Sequence, residues 1–296
     1  MLQFRKAELS DKLLLDSFFS KEDLRLLNYT FQILFVYRNV YNYQFAIHKE
    51  LLFIKTFFKG YHMMFFPLGE GDLKEAVQLM LDYGKENGFE THCYQITPER
   101  IQKLGQTFPD KFEFTAIRDR FEYIYLTERL ATLKGRSLQS KRNNVNYLSK
   151  NYQWSYEPIT PENIEECRAV EKAWNEAQGT TPGSFLDLES QAVEQCFLHY
   201  KEMDVDGGAI RLDGKIAAFS FGCRLNSDTY LVLFEKAYPN IRGIYSVMNQ
   251  QFVLHNAMSY KYVNREEDCG EEGLRIAKMQ YHPDILQEIY CAKLKK

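Results

Sequence analysis

No segment of the 296-residue chain is long and apolar enough to cross a bilayer. The greasiest stretch, Phe31 to Tyr43, is broken by Arg38 and Asn39 and falls short of the roughly 20 residues a span requires. The start, Met1-Leu2-Gln3-Phe4-Arg5-Lys6, lacks the apolar run and small-residue cleavage site of a secretory signal, so a cytoplasmic chain is expected. The six cysteines stand too far apart for a Cys-x-x-Cys knuckle, which removes the zinc-ribbon class and fits unpaired thiols in a reducing compartment. There is no phosphate-cradling Walker A loop and no dinucleotide fingerprint. The serines lack the Gly-x-Ser-x-Gly context of a hydrolase elbow. His48, His62, His92, His199 and His255 are scattered without triad or metal spacing, so no metal is expected. Short-period repeats and low-complexity tracts are missing as well. A net charge of −3 excludes a surface built wholly for nucleic acid but leaves room for a local basic patch.

What is present is core material. With 22 Phe, 20 Tyr and a 45% hydrophobic fraction, the chain is no disordered polymer. Its length suits two lobes of roughly 150 residues each.

The C-terminal half parses more readily. Gln153 to Glu157 reads as a strand, and Thr160-Pro161-Glu162-Asn163 opens a helix that stops at Gly179. A second helix covers about Leu186 to Lys201. Asp213-Gly214 separates two alternating runs, Gly207 to Leu212 and Lys215 to Arg224, which is a hairpin signal. A strand from Asp228 to Lys236, a helix from Ile244 to Ser259 and a strand from Tyr260 to Arg265 follow. A short helix, Glu271 to Gln280, and a last strand, Ile285 to Leu294, close the lobe. An antiparallel meander thus passes into a βαβ crossover within one sheet, an α+β design.

The N-terminal half repeats part of this order. Helices near Leu13 to Lys21 and Leu24 to Arg38 precede strands at Gln44 to His48, Leu51 to Phe58 and Tyr61 to Pro67. Asp72 to Asn87 is a helix, Thr91 to Gln95 a strand, Pro98 to Gln106 a helix and Phe121 to Leu126 a strand. Two copies of one lobe are expected, 1–128 and 152–296, each a mixed, mostly antiparallel sheet flanked by helices. Between them, residues 129–151 form a basic segment. From Arg129 to Tyr156 the chain carries Arg129, Lys134, Arg136, Lys141, Arg142 and Lys150, with no acid. With Tyr147, Tyr152 and Trp154 interleaved, it suits a long anionic substrate lying across a cleft, or it is a solvated linker helix. Lys141 and Arg142 are its best candidates for substrate binding.

In Asn240-Ile241-Arg242-Gly243-Ile244-Tyr245-Ser246 a loop leads straight into a helix N-terminus, where free N–H groups and the helix dipole hold phosphate. Arg242, Gly243 and Ile244 are the candidate phosphate binders; an ordinary glycine turn is the alternative. On a meander-plus-βαβ lobe this resembles the acyl-CoA N-acyltransferase (GNAT) superfamily, whose pyrophosphate loop follows the fourth strand. The resemblance implies acyl-CoA as a donor. Tyr245 stands near the family's last small position, where bulk obstructs a pyrophosphate.

Further motifs narrow the resemblance. They are Tyr123-Ile124-Tyr125-Leu126, Leu130-Ala131-Thr132-Leu133-Lys134-Gly135, Ser140-Lys141-Arg142-Asn143, Phe234-Glu235-Lys236-Ala237, Val263-Asn264-Arg265-Glu266-Glu267-Asp268 and Gly273-Leu274-Arg275-Ile276-Ala277-Lys278, ending in Tyr281-His282-Pro283. In this order, from about Phe66 to the C-terminus, they resemble soluble proteins related to the C-terminal domain of phosphatidylglycerol lysyltransferase. The resemblance implies two tandem GNAT-like lobes and kinship with transferases that take an aminoacyl group from tRNA, the Fem-type enzymes included. The flippase spans of full lysyltransferases are absent. Lipid, peptide and small-molecule acceptors all stay open.

An aminoacyl ester is already activated, so an enzyme using it needs positioning and polarisation more than a covalent nucleophile. No cofactor is then required beyond the donor, charged tRNA or acyl-CoA. Arg265 and Glu266, with Asn264, lie where a strand runs toward a helix, a place where catalytic groups of α/β lobes gather; adjacent acids there also suit ordinary dipole compensation. Glu235 shares a strand face with apolar Leu231 and Leu233, which raises a carboxyl pKa and suits a base; a strand-end salt bridge, with Lys236 turned to water, is the alternative. Arg275 and Lys278, three apart, share a helix face that binds an anionic substrate or is simply solvated. Tyr281 and His282 read as a helix end. A catalytically silent lobe that binds RNA or peptide is the third class of reading.

Overall fold

The structure is a computed structural model that describes residues 2–58 and 60–295. In chain order its main elements are α1 (Lys12–Glu22), α2 (Phe31–Val36), β1 (Gln44–His48), β2 (Leu51–Phe58), β3 (Tyr61–Phe65), β4 (Leu68–Gly69), α3 (Leu73–Glu86), β5 (His92–Ile96), α4 (Pro98–Thr107) and β6 (Phe112–Ala116). There follow β7 (Glu122–Leu126), α5 (Thr127–Thr132), α6 (Gln139–Asn151), β8 (Trp154–Pro158), α7 (Ile164–Gln178), α8 (Phe185–His199), β9 (Asp206–Leu212), β10 (Lys215–Arg224) and β11 (Thr229–Ala237). Last come α9 (Ile244–Asn256), β12 (Tyr262–Asn264), α10 (Glu272–Met279), β13 (Ile285–Gln287) and β14 (Tyr290–Leu294).

These elements fall into two compact units, and neither is continuous in sequence. The first holds the chain up to Glu122, Glu267–Glu271 and everything from Leu286 on; the second holds Tyr123–Glu266 and Glu272–Ile285. In the first unit β1, β2 and β3 form an antiparallel meander, α3 crosses over, and β5 lies parallel to β3 with Met64 opposite Cys93. In the second, β8 to β11 form the meander, α9 crosses over, and β12 lies parallel to β11 with Leu231 opposite Asn264. The same meander-plus-crossover therefore occurs twice, in two mixed sheets flanked by helices.

The linear division at 128 and 152 differs from this partition at two strands. β14 pairs antiparallel with both β5 and β6 in the first sheet, although it comes last in the chain. β7, placed by sequence order in the first lobe, pairs antiparallel with β12 in the second sheet. Alternation of apolar residues marks a strand but carries no address for the sheet it joins. The single strand expected from Ile285 to Leu294 is in fact β13 and β14, and β6 escapes the sequence reading because all four residues after Phe112 lie open or partly open.

Local signals explain most elements. Asp72 caps α3 by accepting the Glu75 N–H at 2.8 Å, and Ser184 caps α8 through the Asp187 N–H. The expected helix start at Thr160 is a turn instead. Asn163 Oδ1 accepts the Thr160 N–H at 2.8 Å, and α7 begins at Ile164. Asp213 and Gly214 both take positive φ, 46° and 88°, as a two-residue hairpin loop requires. β10 is buried from Ile216 to Cys223 because α7 and α9 both pack on it. Among the described residues none of the six cysteines is in a disulfide, and five of them are buried.

Gly243 holds the turn into α9. Its φ is +90°, and a Cβ there would stand 2.4 Å from the Asn144 carbonyl oxygen of α6. Gly243→Ala is therefore expected to lose about 1–3 kcal/mol to the left-handed backbone and about 1–3 kcal/mol to overpacking. A fall of several degrees in the thermal midpoint reads this out; an unchanged midpoint would mean that α6 gives way freely.

Candidate active site

The site lies in the second unit, where β11, β12, α6, α9 and α10 bring side chains together. β11 turns Glu235 inward, and the residue after β12, Arg265, meets it: Arg265 Nη2 donates to Glu235 Oε1 at 3.4 Å, with the two side chains only 14% and 11% exposed. Asn249 of α9 donates from Nδ2 to Glu235 Oε2 at 3.2 Å. Lys278 of α10 reaches back to the Arg265 carbonyl oxygen at 2.6 Å. Lys141 of α6 is buried, donates to Gln280 Oε1 at 2.9 Å and sits 4.5 Å from the centre of the Tyr281 ring. The Arg265 guanidinium is 4.7 Å from the same ring centre. Tyr125 of β7 fixes the end of α10 by donating to the Lys278 carbonyl at 2.9 Å.

Electrostatics follows from this packing. Burial raises the Glu235 pKa above the usual carboxylate range, and the pull of Arg265, Asn249, Lys278 and Lys141 in the other direction does not cancel it. Burial and then the Arg265 charge lower the Lys141 pKa, with Glu235 opposing them. Burial works against the Arg265 charge, yet Glu235, Tyr281 and Tyr125 outweigh it and hold the guanidinium firmly protonated. Three cations thus act on one carboxylate away from bulk water. Two polar atoms there are buried with no hydrogen-bond partner among the described residues: the donor Arg265 Nη1 and the acceptor Asn249 Oδ1. Buried polar atoms are normally satisfied, so an open donor and an open acceptor beside a carboxylate are places for a ligand.

Of the residues singled out from sequence, the structure brings Glu235, Arg265, Lys141 and Lys278 together. Asn264 is fully buried behind them, its Oδ1 accepting the Glu266 N–H at 2.7 Å, so it shapes the backbone turn. Glu266 acts on the Cys196 thiol of α8, which burial first and this carboxylate second push up. Its neighbours Glu267 and Asp268 belong to the first unit, bonded to Arg120 and Arg118. Arg142 spends its guanidinium on the carbonyls of Leu133 and Gly135. Arg242 is exposed and lies 4.4 Å over the Tyr147 ring, and Ile244 is a core residue. The open side of Gly243 is taken up by α6. Arg275 is half-buried on α10. Asn249 and Tyr281 were missed: one is a polar residue inside an apolar helix pattern, the other was read as a helix end.

Lys236 does not turn to water. It is buried on the face of β11 opposite Glu235, 2.5 Å from Glu189 Oε2 and with Nζ 3.4 Å from the Trp174 ring centre. Nearby Glu171 has its pKa raised by burial, against the pull of Lys236. A carboxyl with a raised native pKa favours the native state below its unfolded value and loses that advantage as pH climbs through the native one. Glu171→Gln should therefore raise the thermal midpoint, relative to wild type, by more at about pH 8 than at about pH 4. Equal offsets at the two pH values would refute a costly ionisation.

Comparison with known proteins bears on this geometry. The phosphatidylglycerol lysyltransferase C-terminal family matches residues 23–293. The chain belongs to that family. A conserved protein of unknown function from Bacteroides thetaiotaomicron is 33% identical, with a TM-score of 0.95 and 100% of both chains covered. The C-terminal domain of a proposed lysylphosphatidylglycerol synthetase from Agrobacterium fabrum shares the fold at 14% identity and a TM-score of 0.70, over 98% of this chain and 93% of that one. A tandem GNAT protein from the clavulanic acid biosynthesis pathway shares it at 9% identity and a TM-score of 0.51, over 99% and 98%. Among curated proteins, an uncharacterised protein of Mycoplasmoides gallisepticum is 25% identical over 182 residues, 58% of this chain, and the match spans 56% of that relative's length. The family member described here has the tandem GNAT-like architecture. No helix among the described residues is long and apolar enough to cross a membrane.

Proposed function

We propose that the chain transfers an aminoacyl group from charged tRNA to a hydroxyl or amine acceptor, with Glu235 and Arg265 at the reacting atoms. The observation that carries this reading is the buried Glu235–Arg265 pair at 3.4 Å with one guanidinium N–H left open. Glu235, its pKa raised by burial, is a base poised to take the acceptor proton. The open Arg265 Nη1 is a donor for the carbonyl oxygen as it gains charge. Excess positive charge from Lys141 and Lys278 favours the phosphates of an anionic substrate. An ester donor needs no enzyme nucleophile, and none is demanded of this site.

Acyl-CoA is supported less well as the donor. The Gly243 turn that would face its pyrophosphate packs on α6, and Tyr245 brings bulk to the first turn of α9. The test is a binding titration against bulk aminoacyl-tRNA and against acetyl-CoA at two salt concentrations. Saturable tRNA binding that weakens steeply with salt, without a coenzyme A signal, supports the reading. Coenzyme A binding alone would overturn it.

A further inference from the structure

The first unit has a polar cluster of its own, at the end of its crossover strand β5. Arg100 of α4 is 4% exposed, with its guanidinium carbon 4.8 Å from the Tyr29 ring centre and 4.6 Å from that of Phe66. Nη1 donates to the Tyr29 hydroxyl at 2.8 Å and to the Gln95 carbonyl at 3.1 Å. Nη2 is buried and has no hydrogen-bond partner among the described residues. Its ion-pair partner, Glu22 Oε2 at the end of α1, stands off at 3.7 Å, too far for a hydrogen bond. The other Glu22 oxygen accepts the Gly69 N–H at 3.3 Å. Gln95 takes a φ of +59° where β5 shifts register against β14, and its Oε1 is a second buried atom without a partner. Interiors seldom leave such atoms open, and bulges and left-handed non-glycine residues gather where backbone is shaped for a ligand. The place is also where open sheets hold ligands, beyond the carboxyl ends of parallel strands. The second unit repeats the device: Lys278 donates to the Arg265 carbonyl just past β12, ahead of Glu266 at a φ of +60°.

The charges select the ligand. Arg100 and Glu22 present one charge of each sign 3.7 Å apart, with neither spent on a hydrogen bond to the other. A lone carboxylate drawn to Arg100 is repelled by Glu22, and a lone amine drawn to Glu22 is repelled by Arg100. A free α-amino acid answers both, because its ammonium nitrogen and carboxylate carbon lie about 2.5 Å apart across Cα. The Glu22 side chain is 28% exposed and gives the cluster its opening to solvent, while Arg100 and Tyr29 are closed off behind it. We propose that the first unit binds a free α-amino acid, with its carboxylate on Arg100 Nη2 and its ammonium on Glu22 Oε2. The site shares no residue with the Glu235–Arg265 pair, and it stands whether or not the chain transfers an aminoacyl group.

The test is the thermal midpoint of the full chain, without tRNA, in each common free L-amino acid at roughly 10 mM, then a calorimetric titration of those that bind. At least one should raise the midpoint by several degrees, as a ligand held only by the native state does. Its Nα-acetyl form lacks the ammonium and its carboxamide lacks the carboxylate, so each should bind at least about tenfold more weakly. Glu22→Gln keeps an oxygen for the Gly69 N–H and should weaken binding by a similar factor. Glu235→Gln should bind the amino acid as the wild type does, which assigns the ligand to the first unit. No shift with any amino acid would mean that water fills the site, and it overturns the inference. Equal binding of the Nα-acetyl form overturns it too, as does binding that survives Glu22→Gln and is lost in Glu235→Gln. The tRNA titration judges the transfer reading separately.

Discussion

Glu235→Gln is expected to lower transfer by roughly 10²–10⁴-fold while the protein stays folded. The substitution keeps the size of the side chain and its hydrogen bond with Asn249, but removes the proton acceptor. The pH profile separates a lost base from a lost contact. Burial raises the Glu235 pKa, so the ionised form gains population only as pH climbs past the usual carboxylate range. Wild-type kcat/KM should therefore rise with pH on the acid side and level off, and the variant should lose that limb along with its rate. Initial rates with labelled aminoacyl-tRNA across the pH range provide the check. A variant that keeps both rate and limb would remove Glu235 from the chemistry.

Arg265→Lys is the second large effect, a loss of roughly 10²–10³-fold carried mostly by kcat. Lysine keeps the charge but not the planar fork. Arg265 uses one arm of that fork on Glu235, the other arm is the one proposed to meet the substrate carbonyl, and a single ammonium on a shorter reach cannot occupy both places. Lysine is preferable to alanine here because removing the cation strands a buried carboxylate, a destabilisation of about 3–5 kcal/mol that would confuse folding with catalysis. If the two residues act as one unit, the double variant should lose little more than the worse single one. Single-turnover rates at saturating donor distinguish kcat from binding; a lysine variant with normal kcat would show that the open arm serves affinity alone.

The legible parts of the sequence were those governed by local chemistry. The capped α3, the Asp213-Gly214 hairpin and the αL stop at Gly179 all stand where turn and cap residues put them. The inward turn of Glu235 was legible in part, because it alternates with Leu231 and Leu233 on one face of β11, although a strand-end salt bridge fitted the same pattern. What sequence did not reveal depends on neighbours far along the chain. Lys141 stood out as a candidate for substrate binding on a basic segment, but not as a buried one, and it is buried because Gln280 and Tyr281 come to it from 139 and more residues away. α10 inverts the usual pattern: Lys278 goes in while Leu274, Ile276 and Met279 stay out, so a periodicity argument points its basic residues toward water. Asn249 looks like a polar interruption of an apolar helix, and only its hydrogen bond to Glu235 gives it a place in the site.

The late strand β14 has a bearing on how the chain is made. It fills the gap between β5 and β6, so the first sheet stays divided until β14, far downstream of β6, has left the ribosome. At about 5–20 residues per second that is a wait on the order of ten seconds, during which two strand edges lie open to other nascent chains. Of the two units, the one whose synthesis starts earlier is thus the one that cannot finish folding first. A cell making this protein would be expected to rely on ribosome-bound holdases, and an expression host short of them should yield inclusion bodies rather than half-active protein.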